Sequence, residues 1–221
     1  MSFTIYSYPD NKRVQPSLIA ADLAGLHVEV PPFTMGTDNK TPSFLAINPT
    51  GRVPAMTTPT GTPVFESAAM SRCIARSAPA AGLLGATAVD EAGVDAWMSV
   101  VEADFIPAVK AMIAPHMYDA VKYEAAAAAK AKAGLDATLA ALERVLATKT
   151  YLVGERVTLA DIWVVVVLTL FLTHVLDAPA RDGMPNLMRY HTTLSAQPAF
   201  AKVIGEITLC ETPLGPVKKS K

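Results

Sequence analysis

Net charge is nearly missing from this sequence. Its 19 Lys and Arg stand against 20 Asp and Glu, which leaves −1, so neither whole-domain nucleic-acid binding nor attraction to a membrane surface is expected. Cysteine is also scarce. Cys73 and Cys210 lie far apart and form no CxxC. That fits a reducing cytosol, with each a small buried apolar residue rather than a redox centre. The four histidines, His27, His116, His174 and His191, have no metal-ligand spacing, and no metal is expected. Met1-Ser2-Phe3-Thr4 offers no basic segment followed by an apolar stretch, so no signal peptide is expected there. The one long apolar run, Ile162 to Leu176, is about fifteen residues against the ~20 that span a bilayer. It also carries Thr169, Thr173 and His174. A buried core helix is expected, not an integral membrane segment, and the protein reads as cytoplasmic.

What is present is apolar mass. Half of the 221 residues are hydrophobic and only 18% are charged, enough for one large or two small domains with a substantial core. Phe3-Thr4-Ile5-Tyr6-Ser7 alternates as a strand. A helix is expected over Arg13 to Leu23, with Pro16 in its first turn and Gly25 as its stop. His27–Val30 reads as a second strand, ended by Pro31-Pro32, and a short helix fits around Thr41–Leu45. Two strands, about Ala55–Thr58 and Pro63–Glu66, flank a turn at Thr60-Gly61. Ser67 then caps a helix through about Arg76.

Ala78-Pro79-Ala80-Ala81-Gly82 breaks this pattern. Beyond it the chain reads helical: Asp90 to about Ile113, bent near Pro107; Ala120 to Ala147; a helix opened by Thr158-Leu159-Ala160-Asp161; and short helices around Asn186–Ser195 and Pro198–Ile204. Thr158 and Asp161 form a variant capping box, with Val157 and Ile162 at the staple positions. The helix that follows is apolar on nearly all faces, so it belongs at the centre of a bundle. Glu211 to Lys221 is rich in proline, glycine and lysine. It reads either as a tether toward something longer or as an ordinary frayed tail.

The chemistry concentrates in Asn48-Pro49-Thr50-Gly51-Arg52-Val53-Pro54-Ala55, with Glu66-Ser67 following twelve residues after Pro54. The Val53 backbone can offer its N–H and C=O to a ligand backbone as an added strand would. A cis Val53-Pro54 bond would turn that backbone outward. Glu66 and Ser67 would capture an amino-acid head group, a carboxylate suiting the start of a helix. The same residues also describe a plain hairpin with Pro54 at an edge and Ser67 as an ordinary cap.

The Val53-Pro54 and Glu66-Ser67 pattern resembles the thiol-binding half of the glutathione transferase superfamily. That resemblance implies a thioredoxin-like α/β domain followed by an all-α bundle, the glutathione transferase fold. The phrases IYSYP, TPSFLAINPTGRVPA, VFESAA, YLVGERVTLADI and AFAKVIGEITLCETPL are closer still to one branch, the gamma subunit of eukaryotic translation elongation factor 1B. They imply a thiol-binding domain over 1–78, a linker at 79–89, a helical domain over 90–210 and a tether at 211–221 leading to a missing further domain. They also imply a scaffold that anchors the nucleotide-exchange subunits of elongation factor 1B. An aminoacyl-tRNA synthetase is a second candidate partner, and a homodimer a third. No direct contact with nucleic acid is expected.

The alternative is a working transferase that conjugates glutathione, or a conjugate such as trypanothione, to electrophiles. It would need a hydroxyl near the end of the first strand to stabilise a thiolate. Placement against Pro9 brings Ser7 near the tyrosine of tyrosine-type transferases, with Tyr8 beside it; Tyr6, Asp10 and Asn11 are the other candidates. No serine or cysteine stands at the start of the first helix, where serine-type classes carry theirs. Lys12 and Arg13 are candidate sources of positive potential. Arg52 is either a partner for a ligand carboxylate or an exposed loop arginine. The ligand-binding set is therefore Arg13, Arg52, Val53, Pro54, Glu66 and Ser67.

Overall fold

The computed structural model describes residues 2–118 and 120–217. Strand β1 (Phe3–Tyr6) leads into helix α1 (Gln15–Leu23), with Pro16 in its first turn, and then into β2 (Val28–Glu29). Helix α2 (Pro42–Ile47) follows, its Phe44 N–H capped by Thr41. A hairpin of β3 (Ala55–Thr57) and β4 (Pro63–Phe65) runs into α3 (Ser67–Ser77).

The sheet order is β2-β1-β3-β4. β2 is parallel to β1, pairing Phe3 with Val28, while β3 and β4 are antiparallel to their neighbours. Alternation along β1 turns Phe3, Ile5 and Ser7 inward, since successive side chains of a strand face opposite ways.

From α4 (Ala88–Val100) the chain stays helical to Met117, through α5 (Ile106–Ala108) and α6 (Ala114–Met117), with π-helical turns at Val101–Phe105 and Val109–Ile113. Pro107 sits between those turns. It has no N–H to donate and its ring crowds the preceding turn, so the spiral widens on both sides of it. The sequence places the end of this helix four residues too early.

Helices α7 (Ala125–Leu146), α8 (Leu159–His174), α10 (Pro185–Ser195) and α11 (Pro198–Ile204) complete the bundle. A further short helix, α9 (Ala178–Asp182), escaped the sequence reading. Asp177 caps it by accepting from the Ala180 N–H.

α8 is buried from Leu159 through Leu168, as its uniformly apolar sequence requires. Its start is held by the Asp161 carboxylate, which accepts from the N–H of Thr158 and of Leu152 and from the hydroxyls of Thr158 and Tyr190. One continuous core links sheet and bundle. α1 packs against α3, α8 and α11, and the Trp163 indole of α8 donates to the Ser71 hydroxyl of α3 at 3.0 Å. No helix among the described residues is long and apolar enough to cross a membrane.

Two local expectations change. Ser67 is the first residue of α3 rather than its cap. Glu66 holds the cap position with φ of 68°, because the chain must swing straight from β4 into the helix. The stretch beginning at Glu211 is also not loose throughout. The Cys210 N–H donates to Leu172 C=O and the Leu214 N–H to His174 C=O, at 2.8 and 2.9 Å. The last turn of a helix leaves its carbonyls without partners inside the helix, and this returning segment supplies them for α8. Lys218, Lys219, Ser220 and Lys221 lie outside the described residues.

Candidate functional site

The loop from Asn48 to Pro54 is built around two buried asparagines. Asn48 Nδ2 donates to Arg52 C=O at 2.7 Å, and its Oδ1 accepts from the N–H and hydroxyl of Thr50. Asn39 Nδ2 donates to Gly51 C=O at 2.8 Å. Gly51 has φ of 65°, a left-handed backbone that favours glycine in this tight turn. Asn39 carried no sequence signal as a support, because its partner is twelve residues away.

This frame presents a Val53-Pro54 bond that is cis. Among the described residues no backbone hydrogen bond engages the N–H or C=O of Val53. Pro54 is buried beneath. Across the strip, Arg52 Nη2 lies 2.9 Å from Glu66 Oε1, with both side chains more than half exposed. The Ser67 N–H heads an eleven-residue helix and belongs to the unpaired donors of a helix start. Its side chain is buried. Arg52, Val53, Pro54, Glu66 and Ser67 thus lie together. The arrangement offers a backbone strip, helix-start amides for a carboxylate, and an exposed Arg52–Glu66 pair that can open to meet an ammonium and a carboxylate, since exposed ion pairs are weak.

Arg13 lies elsewhere. Its guanidinium grips Glu102 with both nitrogens, at 2.7 and 3.0 Å, joining the loop before α1 to the long helix of the bundle. That planar fork is already matched to a carboxylate, so Arg13 is engaged before any ligand arrives.

The candidate hydroxyls separate in the same way. Ser7 follows the inward parity of β1, is 1% exposed, and accepts from Asn11 Nδ2 at 2.8 Å. Asn11 Oδ1 in turn accepts from the Arg13 N–H. Tyr6 packs edge-on against Phe44. Tyr8 reaches the interdomain cleft. The register that pairs Tyr6 with Ala55 carries Tyr8 toward the Val53 end of the strip. Burial, and then its hydrogen bond with Tyr118, push the Tyr8 phenol up to about 12, against a smaller opposing pull from Arg13. At neutral pH Tyr8 is therefore an O–H donor and not a base.

The cleft holds about 500 Å³ between the loop Tyr8–Arg13 and the bundle, walled by Val109, Ile113, Trp163, Val167 and Leu170. Sequence reasoning did not find it. The traces were there, as Val109 and Ile113 stand four apart on one helix and Trp163, Val167 and Leu170 follow i, i+4, i+7 on another. Nothing in the sequence says that these two faces meet. Among the described residues no group of three His, Cys, Asp or Glu is placed to hold a metal ion.

Comparison with known proteins adds an independent finding. Residues 14–77 match the model of the glutathione S-transferase N-terminal domain, and residues 95–198 that of the C-terminal domain. Elongation factor 1-gamma-A of Xenopus laevis is 37% identical over 212 residues, covering 94% of this chain and 48% of that protein. The chain spans about half the length of the curated relatives it matches. Among solved structures, the transferase-like domain of elongation factor 1-gamma from Saccharomyces cerevisiae superposes with a TM-score of 0.82 at 22% identity, covering 98% of this chain and 99% of that one. A glutathione transferase of Phanerochaete chrysosporium, solved in complex with oxidized glutathione, superposes at 0.81 with 21% identity, covering 92% and 94%.

Proposed function

The chain belongs to the elongation factor 1-gamma family and carries its glutathione S-transferase-type pair of domains, and we propose that it acts in translation elongation as a scaffold that anchors nucleotide-exchange subunits. The observation that carries this reading, beyond the family, is the contrast between a free binding edge and an occupied hydroxyl. The Val53 backbone has no backbone partner among the described residues, while the Ser7 hydroxyl is buried on Asn11 and Tyr8 is left as the donor at the cleft. A fold that keeps a binding edge but holds the Ser7 hydroxyl inside suits a scaffold with at most weak chemistry. An aminoacyl-tRNA synthetase and a second copy of the chain are further candidate partners, and the cytoplasm is the compartment such work requires. Mixing the chain with an elongation factor 1B exchange subunit should give a co-eluting complex at micromolar concentrations. Separate elution would remove this reading.

A second reading is favoured by the free backbone of Val53 beside Glu66 and Ser67. The strip binds glutathione, or a conjugate such as trypanothione, with at most weak transfer to electrophiles. The cysteinyl backbone would pair with Val53, the ammonium would meet Glu66, and the Ser67 N–H and Arg52 would take the carboxylate. Tyr8 could donate a hydrogen bond toward the sulfur, which stabilises a thiolate without removing a proton. Calorimetry should detect glutathione binding that the double variant Arg52→Gln, Glu66→Gln weakens about tenfold, the worth of one charge-assisted hydrogen bond. Turnover of a chlorinated aromatic substrate should stay near background. Full affinity in the double variant would sink the assigned head-group site.

A further inference from the structure

We propose that the interdomain cleft is a docking site for a partner protein's acidic segment bearing large apolar anchor residues. This deepens the scaffold reading and rests on it for the kind of occupant. The interior is apolar, with Val109 and Ile113 facing Trp163, Val167 and Leu170, and about 500 Å³ has room for two or three large side chains. A concave apolar site with a few fixed polar groups is the general form of a binding pocket.

The rim and the charge decide what enters. Met117 and Tyr118 border the cleft and are 51% and 48% exposed. Large apolar residues left in water at the edge of a pocket mark a contact surface wider than the pocket. A polypeptide filling the cleft and crossing its mouth would cover both. Lys12, from the loop before α1, and Lys110, from the long helix, both border the cleft. Neither has an ion-pair partner among the described residues. Arg13 is neutralised by Glu102, and among the described residues Asp10 is the single carboxylate in the lining. Two unpaired ammonium groups, one from each half of the chain, favour an acidic visitor and disfavour a basic one. The Val53 strip is not part of this lining, although Tyr8 is, so the thiol strip and the docking surface adjoin at Tyr8.

The test uses two labelled synthetic peptides of about twelve residues, both with a Leu-Trp anchor pair, one flanked by glutamates and the other by lysines. A third probe is the anionic dye anilinonaphthalene sulfonate. Fluorescence anisotropy should find the glutamate-flanked peptide bound at least about tenfold more tightly, a preference that added salt erodes. The double variant Lys12→Glu, Lys110→Glu should abolish that preference and weaken co-elution with the exchange subunit about tenfold. Lys110 is exposed and Lys12 half-buried, and neither is in an ion pair among the described residues, so the variant should keep the wild-type melting point, checked by a thermal melt. Equal binding of the two peptides, binding of the dye alone, or no change in the double variant would each overturn the proposal. If the peptide preference holds but the exchange subunit does not co-elute, the scaffold reading fails and the docking site stands. If the subunit co-elutes equally with wild type and double variant and the peptides are not told apart, the reverse is true.

Discussion

Replacing Asp161 by alanine is expected to remove about 4 kcal/mol of folding stability, measured by urea unfolding. Four donors converge on this carboxylate within 3.0 Å: the N–H groups of Leu152 and Thr158 and the hydroxyls of Thr158 and Tyr190. Asp161 and Thr158 are fully buried, and Tyr190 and Leu152 nearly so. Alanine leaves these donors without a partner and without water, and an orphaned buried donor costs about 1–3 kcal/mol. The loss is not local. The carboxylate joins the loop before α8, the first turn of α8 and the middle of α10, so the central helix loses its anchor at the end nearest the linker. Burial raises the pKa of Asp161 above the usual carboxylate range, while the converging donors favour its ionised form. Burial, and then the neighbouring Asp161 carboxylate, push the Tyr190 phenol well above 10, so it stays protonated. Tyr190→Phe removes one donor together with its bond and should cost only about 1 kcal/mol. A loss below about 1 kcal/mol for Asp161→Ala would mean that the bundle does not depend on this anchor.

The second large effect is a dependence on acid. His191 is 3% exposed, and burial pushes its imidazole down to about 4. The Thr169 hydroxyl donates to Val165 C=O at 2.8 Å, so it receives its 2.9 Å bond from His191 Nε2. The ring is therefore neutral, with the proton on Nε2. In the unfolded chain a histidine takes up a proton near pH 6.5. The contribution of His191 to stability is thus complete above about pH 6.5 and is lost as pH falls toward 4; further acid changes little. The interval is worth about 3 kcal/mol. His191→Gln can keep a hydrogen bond to Thr169 but cannot titrate. Relative to wild type it should be less stable at pH 7.5 and should close that gap by about 3 kcal/mol at pH 4, read from urea midpoints at each pH. Parallel pH profiles for the two proteins would show that the imidazole is not buried as a neutral ring. The difference between the two chains also cancels His174, which burial and neighbouring His116 lower in the same direction.

The legible parts of the fold share a short range. The alternation of β1, the proline-started helices and the capping box of α8 each depend on residues within a turn or a strand of one another. The site followed the same rule. Val53-Pro54 and Glu66-Ser67 can be paired from the sequence because one hairpin separates them. Ser7 and Tyr8 were harder to tell apart. Placement against Pro9 favoured Ser7, but alternation along β1 turns that hydroxyl inward onto Asn11 and leaves Tyr8 at the cleft. The sequence offers Arg13 as a source of positive potential and a ligand-binding residue, but its partner Glu102 lies 89 residues away. The tail was read from composition, which does not reveal that the α8 carbonyls at Leu172 and His174 would draw Cys210 and Leu214 back.

By itself the sequence determined the elements, the capped central helix and the backbone strip at Val53, because local sterics, alternation and capping chemistry act between near neighbours. The tertiary structure alone decided which hydroxyl reaches the cleft, which cations stay unpaired among the described residues and where Cys210 and Leu214 are held. Those outcomes depend on which surfaces meet when two domains share one core, and contacts between residues far apart in the chain leave no periodic trace along it.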